Sequence, residues 1–263
     1  MKRLYQVVLA AAAALLSVSP AGAELNSARR LHAFAKLPDW TGVWERFNVG
    51  ASDAPSDPKE LAEFIKAFDE LRPPYNAEWE AKYQSALQLR RQSPPSAQAS
   101  CAPLGFPLSM LFPSEMMQAI VTPEETTLLF YTGGARHIAT DGRQHPPSEE
   151  RWATPWGDSV GHWEGQVLVV DTVATNAPMG AGYGVSVPLS EQVQVTERIR
   201  APDKNTLEDH MTIIDPATLA HPWVLMIKYH HVSNMPHILD RECTENDRNP
   251  VVDGKFTIAP PKR

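Results

Sequence analysis

The sequence predicts a mainly β protein whose strands form an antiparallel meander, closed into a barrel or folded into a sandwich, with a two-helix insertion before it. Beyond Cys101, short runs that alternate apolar and polar residues are separated by turn signals such as Asp141-Gly142 and Glu164-Gly165. Most gaps between these runs are short, which favours antiparallel neighbours because a parallel pair needs a long crossover. A composition of 43% hydrophobic and 21% charged residues excludes a disordered tail, a fibre and a polytopic membrane protein.

The first residues have the pattern of an export signal. Lys2 and Arg3 are followed by the ten-residue apolar run 7–16 and by the small residues 21–23. The run is too short to span a bilayer, and no later run is long enough for an anchor. We therefore predict a cleavable signal peptide over 1–23, a periplasmic or secreted protein, and one β-barrel domain over 24–263.

Two helices are expected in an insertion over 57–91. The first candidate, 58–71, repeats apolar residues at spacings of three and four, and Pro73-Pro74 ends it. The second, Asn76–Arg91, has aromatic residues four positions apart. Both need a surface against which to bury these narrow apolar faces, so we expect the insertion to cover a barrel mouth or wall. A Pro/Ser-rich linker, 92–100, follows.

The strands are expected to begin with the aromatic segment Asp39–Phe47. Nine further candidates follow the linker: Met116–Val121, Thr126–Thr132, Arg136–Thr140, Ser159–Trp163, Gln166–Thr172, Gln192–Arg200, Thr206–Ile214, Trp223–His231 and Ile238–Cys243. A series this long without intervening helices is typical of a closed barrel or a sandwich.

Cys101 and Cys243 are the two cysteines of the chain. In an exported protein such a pair is expected to form a disulfide rather than two free thiols. In the chain-entropy view, closing so long a loop contributes about 4–5 kcal/mol.

Charge and motifs limit the function. The net charge is −7, and no cluster of lysines and arginines suggests a nucleic-acid surface. The sequence has no G-x-S-x-G elbow, no H-E-x-x-H, no P-loop and no dinucleotide fingerprint. We therefore expect no cofactor, no metal and no nucleic acid. A hydrophobic small molecule is the expected partner, with a homodimer as an open alternative.

One polar cluster follows a predicted strand. Arg136 lies on the strand, and Arg143 and His145 lie in the turn after it. The structural interpretation is a loop tied by Arg–Asp pairs. The functional interpretation is a pocket rim in which His145 transfers protons and an arginine binds an oxyanion.

Ionisable residues also interrupt apolar strand faces. Glu197 shares a face with Val195 and Ile199, where desolvation would raise the pKa of a carboxyl group and suit it to acid/base work. His210 is a second candidate across the pocket. A metal site of His210, Glu197 and one of His230 and His231 lacks supporting ligand spacing.

Asp171 abuts an apolar run and, if buried, would need a partner such as Arg198. Asp158-Ser159 lacks the elbow of a nucleophile. Aromatic and polar side chains on the strands complete the candidate substrate-binding set: Tyr131, Trp163, Arg198, Tyr229 and His230.

Three strings together resemble a family of exported, mostly uncharacterised proteobacterial proteins with a "GDSxGxWEGDTLVVDT" core. These are GDSVGHWEGQVLVVDT (157–172), DGRQHP (141–146) and TERIR (196–200). The family also has an early W-x-G-x-W, matched at 40–44, and the resemblance covers most of 39–246. It implies a lipocalin-like barrel but no defined activity. Many members come from bacteria that degrade aromatic and terpenoid compounds.

The preferred function is a cofactor-independent acid/base enzyme, a lyase or isomerase, acting on a hydrophobic aromatic molecule that is either lignin-derived or steroid-like. The alternatives are a lipocalin-like carrier without catalysis and a structural envelope protein. Strongly shifted titrations inside the barrel would favour the enzyme, and a dry apolar pocket would favour the carrier.

Overall fold

A closed barrel forms the body of the protein. The computed structural model describes residues 27–46, 72–92, 104–111, 116–131, 133–176, 189–239, 251–252 and 255–256. Nine strands within these ranges pair in chain order, and the ninth pairs with the first. They are β1 Val43–Arg46, β2 Met116–Val121, β3 Glu125–Phe130, β4 Ala135–Ala139, β5 Asp158–Glu164, β6 Val167–Val173, β7 Gln194–Asp203, β8 Thr206–Ile214 and β9 Trp223–His231. The predicted mainly β barrel is confirmed.

The apolar alternation in the sequence sets the inner face of the barrel. In β7, Val195, Glu197 and Ile199 are buried, while the residues between them are exposed. Successive side chains of a strand point to opposite faces, so each strand contributes every second residue to the interior. The bounds of β2, β8 and β9 are those predicted.

The meander is not wholly antiparallel. β4 and β5 pair in parallel, with Ile138 opposite Ser159 and Ala139 opposite Val160. A parallel neighbour must start at the same end as its partner, so the connection 140–157 runs back along the barrel. This crossover carries the DGRQHP string. The expectation of antiparallel neighbours throughout is therefore wrong at this one pair.

Three helices lie in the described ranges. α1 (Ser27–Phe34) was not predicted, α2 (Ala77–Gln92) matches the second predicted helix within one residue at each end, and α3 (Leu108–Leu111) is one turn long. No helix in these ranges is long and apolar enough to cross a membrane. Residues 1–23, the first predicted helix, both cysteines and nearly all of the linker lie outside the described residues.

The C-terminal segment differs from its prediction. Ile238 and Leu239 are described and are not in a strand, and the rest of the predicted strand 238–243 lies outside the described residues. A small hairpin pairs β10 (Val251–Val252) with β11 (Lys255–Phe256).

Residues 104–111, here called the plug segment, occupy one end of the barrel. Phe106 and Met110 are fully buried in the core. The Phe106 amide donates to Pro155 O (2.7 Å), and Thr175 Oγ1 donates to Phe106 O (2.6 Å). These bonds fix the plug segment to the crossover and to the segment after β6.

The opposite end carries α1 and the β5–β6 hairpin. Gln166 Nε2 donates to Lys36 O (3.0 Å) just after α1. Glu164 pairs with Val167, so the turn consists of Gly165 and Gln166, and Gly165 has φ +64°. Glycine adopts this left-handed conformation without steric cost. The hairpin predicted from Glu164-Gly165 is confirmed.

Candidate functional site

The barrel encloses a buried ion pair between Arg136 and Glu197, both fully inaccessible to solvent. Arg136 Nη1 lies 2.8 Å from Glu197 Oε1, and Nη2 bonds the second carboxylate oxygen. Nη2 also donates to Thr172 Oγ1 (2.9 Å), and Nε donates to Ser159 Oγ (3.3 Å). The guanidinium group stacks 3.6 Å from the Phe106 ring centroid, so the plug segment covers it.

This geometry explains how two charges persist in an apolar core. Removing each ion from water costs several kcal/mol. A bidentate Arg–carboxylate ion pair offsets this cost only when the other donors of the guanidinium group also form hydrogen bonds. Ser159 and Thr172 each accept from one of these donors here. Ser159 is thus a ligand of Arg136.

Asp209 lies beside this pair and is also fully buried. Neither of its carboxyl oxygens accepts a hydrogen bond from a donor group of the described residues. Burial raises the pKa of Asp209 well above its usual value, the nearby Glu197 raises it further, and Arg136 opposes the rise. The environment therefore favours the protonated form of Asp209. An ionised carboxylate could only accept hydrogen bonds, and no donor of the described chain is available to it, whereas the protonated group can donate one. We call Arg136, Glu197 and Asp209 the interior acid cluster.

Two further inward side chains connect the cluster to the plug segment. Tyr229 Oη donates to Met110 O (2.8 Å), and burial raises the pKa of Tyr229. Arg46 donates to Leu111 O, and burial lowers its pKa. The main-chain carbonyls of α3 are thereby satisfied from the barrel wall.

His145 and Arg143 lie on the outer face of the barrel. His145 Nδ1 is 2.6 Å from Asp158 Oδ2, and Arg143 Nη2 is 3.2 Å from Asp158 Oδ1. His145 Nε2 is buried and lies 3.3 Å from Asp171 Oδ2, outside hydrogen-bonding geometry. The parallel crossover places them there, so the barrel wall separates His145 from Arg136 and Glu197.

Three other predicted site residues also point outward. His210 is 46% exposed and lies 3.8 Å from Glu208, and His230 lies 3.2 Å from Glu45. Arg198 bonds Glu164 at 2.8 Å. His210 and Glu197 therefore occupy opposite faces and cannot ligate one metal.

Asp171 is not buried, so the condition under which it would need a partner such as Arg198 is not met. Asp171 is opposite Thr196 in the β6–β7 ladder, its side chain is 48% exposed, and its Oδ2 lies 3.3 Å from His145 Nε2. Its apolar neighbours in β6 point inward and it points outward, so it needs no buried partner.

Two members of the predicted substrate-binding set, Trp163 and Tyr229, point into the barrel. Tyr131 follows β3 at the turn into β4, where its amide donates to Met116 O (2.9 Å). The structure thus brings together Arg136, Glu197 and Tyr229, and leaves His145, Arg143 and His210 outside.

Asp209 was missed in the sequence, although a signal for it exists. It alternates with Leu207, Met211 and Ile213, which is the same pattern that singled out Glu197. Its importance depends on its proximity to Glu197. The pairing of β7 with β8 sets Glu197 opposite Met211 and Ile199 opposite Asp209, so Glu197 and Asp209 are diagonal neighbours on the same face.

Comparison with known protein families and with curated proteins finds no match for this chain.

Proposed function

We propose that this protein is a cofactor-independent acid/base enzyme, a lyase or isomerase, that acts on a hydrophobic aromatic molecule inside the barrel. The observation that carries the proposal is the environment of Asp209, a fully buried carboxyl group beside the Arg136–Glu197 pair whose pKa is raised by burial and by Glu197. A group with such a perturbed pKa, beside a specific charge partner, is a candidate for catalysis.

The interior acid cluster offers the two components that proton transfer needs. Protonated Asp209 is a donor, and the Glu197 carboxylate, oriented by Arg136, is an acceptor close to it. An isomerisation removes a proton from one carbon and returns a proton to another, and an elimination removes a proton while a leaving group takes one up. Two carboxyl groups whose environments differ can divide these roles.

A carrier protein does not require the buried carboxyl groups of Glu197 and Asp209. Binding an apolar ligand requires apolar surface, and burying ionisable carboxyl groups in such a barrel costs stability. The aromatic side chains of the interior, including Trp44, Phe130 and Trp163, suit a ring-bearing substrate. Export to the periplasm, directed by residues 1–23, is part of the proposal.

Substrate reaches Asp209 through one end of the barrel. Phe106 and Met110 of the plug segment are fully buried, whereas Trp163 near the α1 end is only half-buried. The proposal therefore places substrate entry at the α1 end.

The test compares the mature protein with Asp209→Asn. Each is incubated with lignin-type aryl-ether dimers and with 3-oxo steroids, and mass spectrometry records bound and converted species. Asp209→Asn should lower the turnover of any converted compound by about 10²–10⁴-fold, the usual contribution of a general acid. Glu164→Gln, which changes an exposed carboxylate on the outer face, is the matched control.

Two results would contradict the proposal. Equal turnover by Asp209→Asn and the parent protein would remove Asp209 from the chemistry. Compounds that are retained but never converted would support the carrier.

A further inference from the structure

Two indole N–H groups at the α1 end are buried without a partner. Trp40 Nε1 and Trp163 Nε1 make no hydrogen bond to any described residue. The two rings touch, with centroids 5.3 Å apart and planes inclined at 59°. Trp44 provides the contrast, because its Nε1 donates to Trp40 O at 3.0 Å.

An unpaired buried donor is costly, and two in one aromatic pair call for an acceptor that the described chain does not supply. Indole nitrogen only donates, so the missing partner must be an acceptor such as a carbonyl, ether or water oxygen. Part of the Trp163 ring is exposed at this end of the barrel, whereas both Nε1 atoms are covered, so an acceptor bonds them only when this end opens.

The position of the pair relates it to the interior acid cluster. Trp163 lies opposite Leu168, Leu168 opposite Ile199, and Ile199 opposite Asp209 in the successive ladders. All four residues face inward, so one row of cross-strand neighbours joins Trp163 to Asp209, three strand spacings of about 4.8 Å apart along the wall. The side chains between them, Leu168 and Ile199, are apolar.

We infer that the substrate carries an acceptor oxygen, a carbonyl or ether, attached to an aromatic ring, and that the indole N–H groups of Trp40 and Trp163 bind this oxygen. The inference rests on the proposed function, because it names the substrate class for the same interior. The apolar stretch between the indoles and Asp209 holds the carbon skeleton, and the acid meets the substrate at a position remote from the bound oxygen. Trp40 and Trp163 are substrate-binding residues in this arrangement.

Two probes of nearly equal shape separate acceptor recognition from simple apolar binding. Benzophenone carries one carbonyl acceptor and no donor, and diphenylmethane carries neither. Indole N–H resonances of the ¹⁵N-labelled mature protein, assigned through single Trp→Phe variants, are followed as each probe is added. Benzophenone should move the Trp40 and Trp163 resonances downfield, leave Trp44 in place, and bind more tightly than diphenylmethane.

Trp163→Phe tests the same point by affinity. Loss of one neutral hydrogen bond should weaken benzophenone binding about 2- to 10-fold more than diphenylmethane binding. Trp156→Phe, which changes the ring stacked on Phe130 away from this pair, is the control and should affect both probes equally. If Trp163→Phe does not fold, the resonance shifts of the parent protein still decide the matter.

Failure of the inference is distinguishable from failure of the proposed function, because the binding readout needs no turnover. Unmoved Trp40 and Trp163 resonances, equal affinity for the two probes, or binding of neither probe would overturn the inference even if Asp209→Asn abolishes catalysis. Shifted resonances with catalysis unaffected by Asp209→Asn would keep the indole site and overturn the catalytic role.

Discussion

The hydroxyl groups of Ser159 and Thr172 lie 2.8 Å apart across the β5–β6 ladder, and both bond the Arg136 guanidinium. The residues immediately before them, Asp158 and Asp171, face the other side of the wall and flank His145. Because successive side chains of a strand point to opposite faces, the hydroxyl groups of Ser159 and Thr172 contact Arg136 inside the barrel, and the preceding aspartates lie near His145 outside it. The GDS and VDT portions of the core string are thus accounted for by contacts inside and outside one wall.

Arg136→Met should destabilise the protein by about 3–5 kcal/mol, because it leaves Glu197 buried without its counter-ion. Urea unfolding at pH 7 measures the change. Arg198→Ala, which breaks the solvent-exposed pair with Glu164, is the matched control and should change stability little.

The double variant Arg136→Met with Glu197→Leu should regain most of the stability lost in Arg136→Met, because it removes both ions and leaves an apolar site. Additive losses in the double variant would show that the two side chains contribute separately, against the contacts described above.

Asp209 should make stability decline with rising pH. Folding raises its pKa, so above about pH 4 the folded state binds more protons than the unfolded state, and stability falls as pH rises toward the folded-state pKa. The slope of this contribution is at most about 1.4 kcal/mol per pH unit. Asp209→Asn has no proton to lose there, so urea unfolding between pH 4 and pH 8 should show a flatter profile than that of the parent protein. Parallel profiles would mean that Asp209 ionises normally.

His145→Ala should lower the free energy of unfolding by about 1–3 kcal/mol, because Asp158 loses a charge-assisted partner and the crossover loses its attachment to β5. Thermal unfolding checks this, with the exposed His162→Ala as control. A fall in turnover of 10²-fold or more at an unchanged melting temperature would instead assign His145 the proton-transfer role that its sequence context suggests.

The Cys101–Cys243 disulfide remains a prediction from the sequence. Thiol titration of the denatured, unreduced mature protein should find no free thiol. Reduction should lower stability by about 4–5 kcal/mol if the chain-entropy model holds. Two titratable thiols per chain would refute the bridge.

The sequence by itself determined the nine barrel strands and the β5–β6 hairpin, because period-two alternation and a glycine at a turn act over a few neighbouring residues. It identified Glu197 as an ionisable group on an apolar face for the same reason. The tertiary structure decided which groups meet. Arg136 and Glu197 are 61 positions apart, and only barrel closure places them in contact.

The pairing of β4 with β5 was likewise decided by the tertiary structure. No local pattern specifies a parallel neighbour, yet that single pairing sends the crossover along the outer wall and moves His145 from an expected pocket rim to the outside. The raised pKa of Asp209 has the same origin, since desolvation depends on everything packed around a group. Local periodicity encodes faces, whereas contacts between distant strands decide the chemistry enclosed by them.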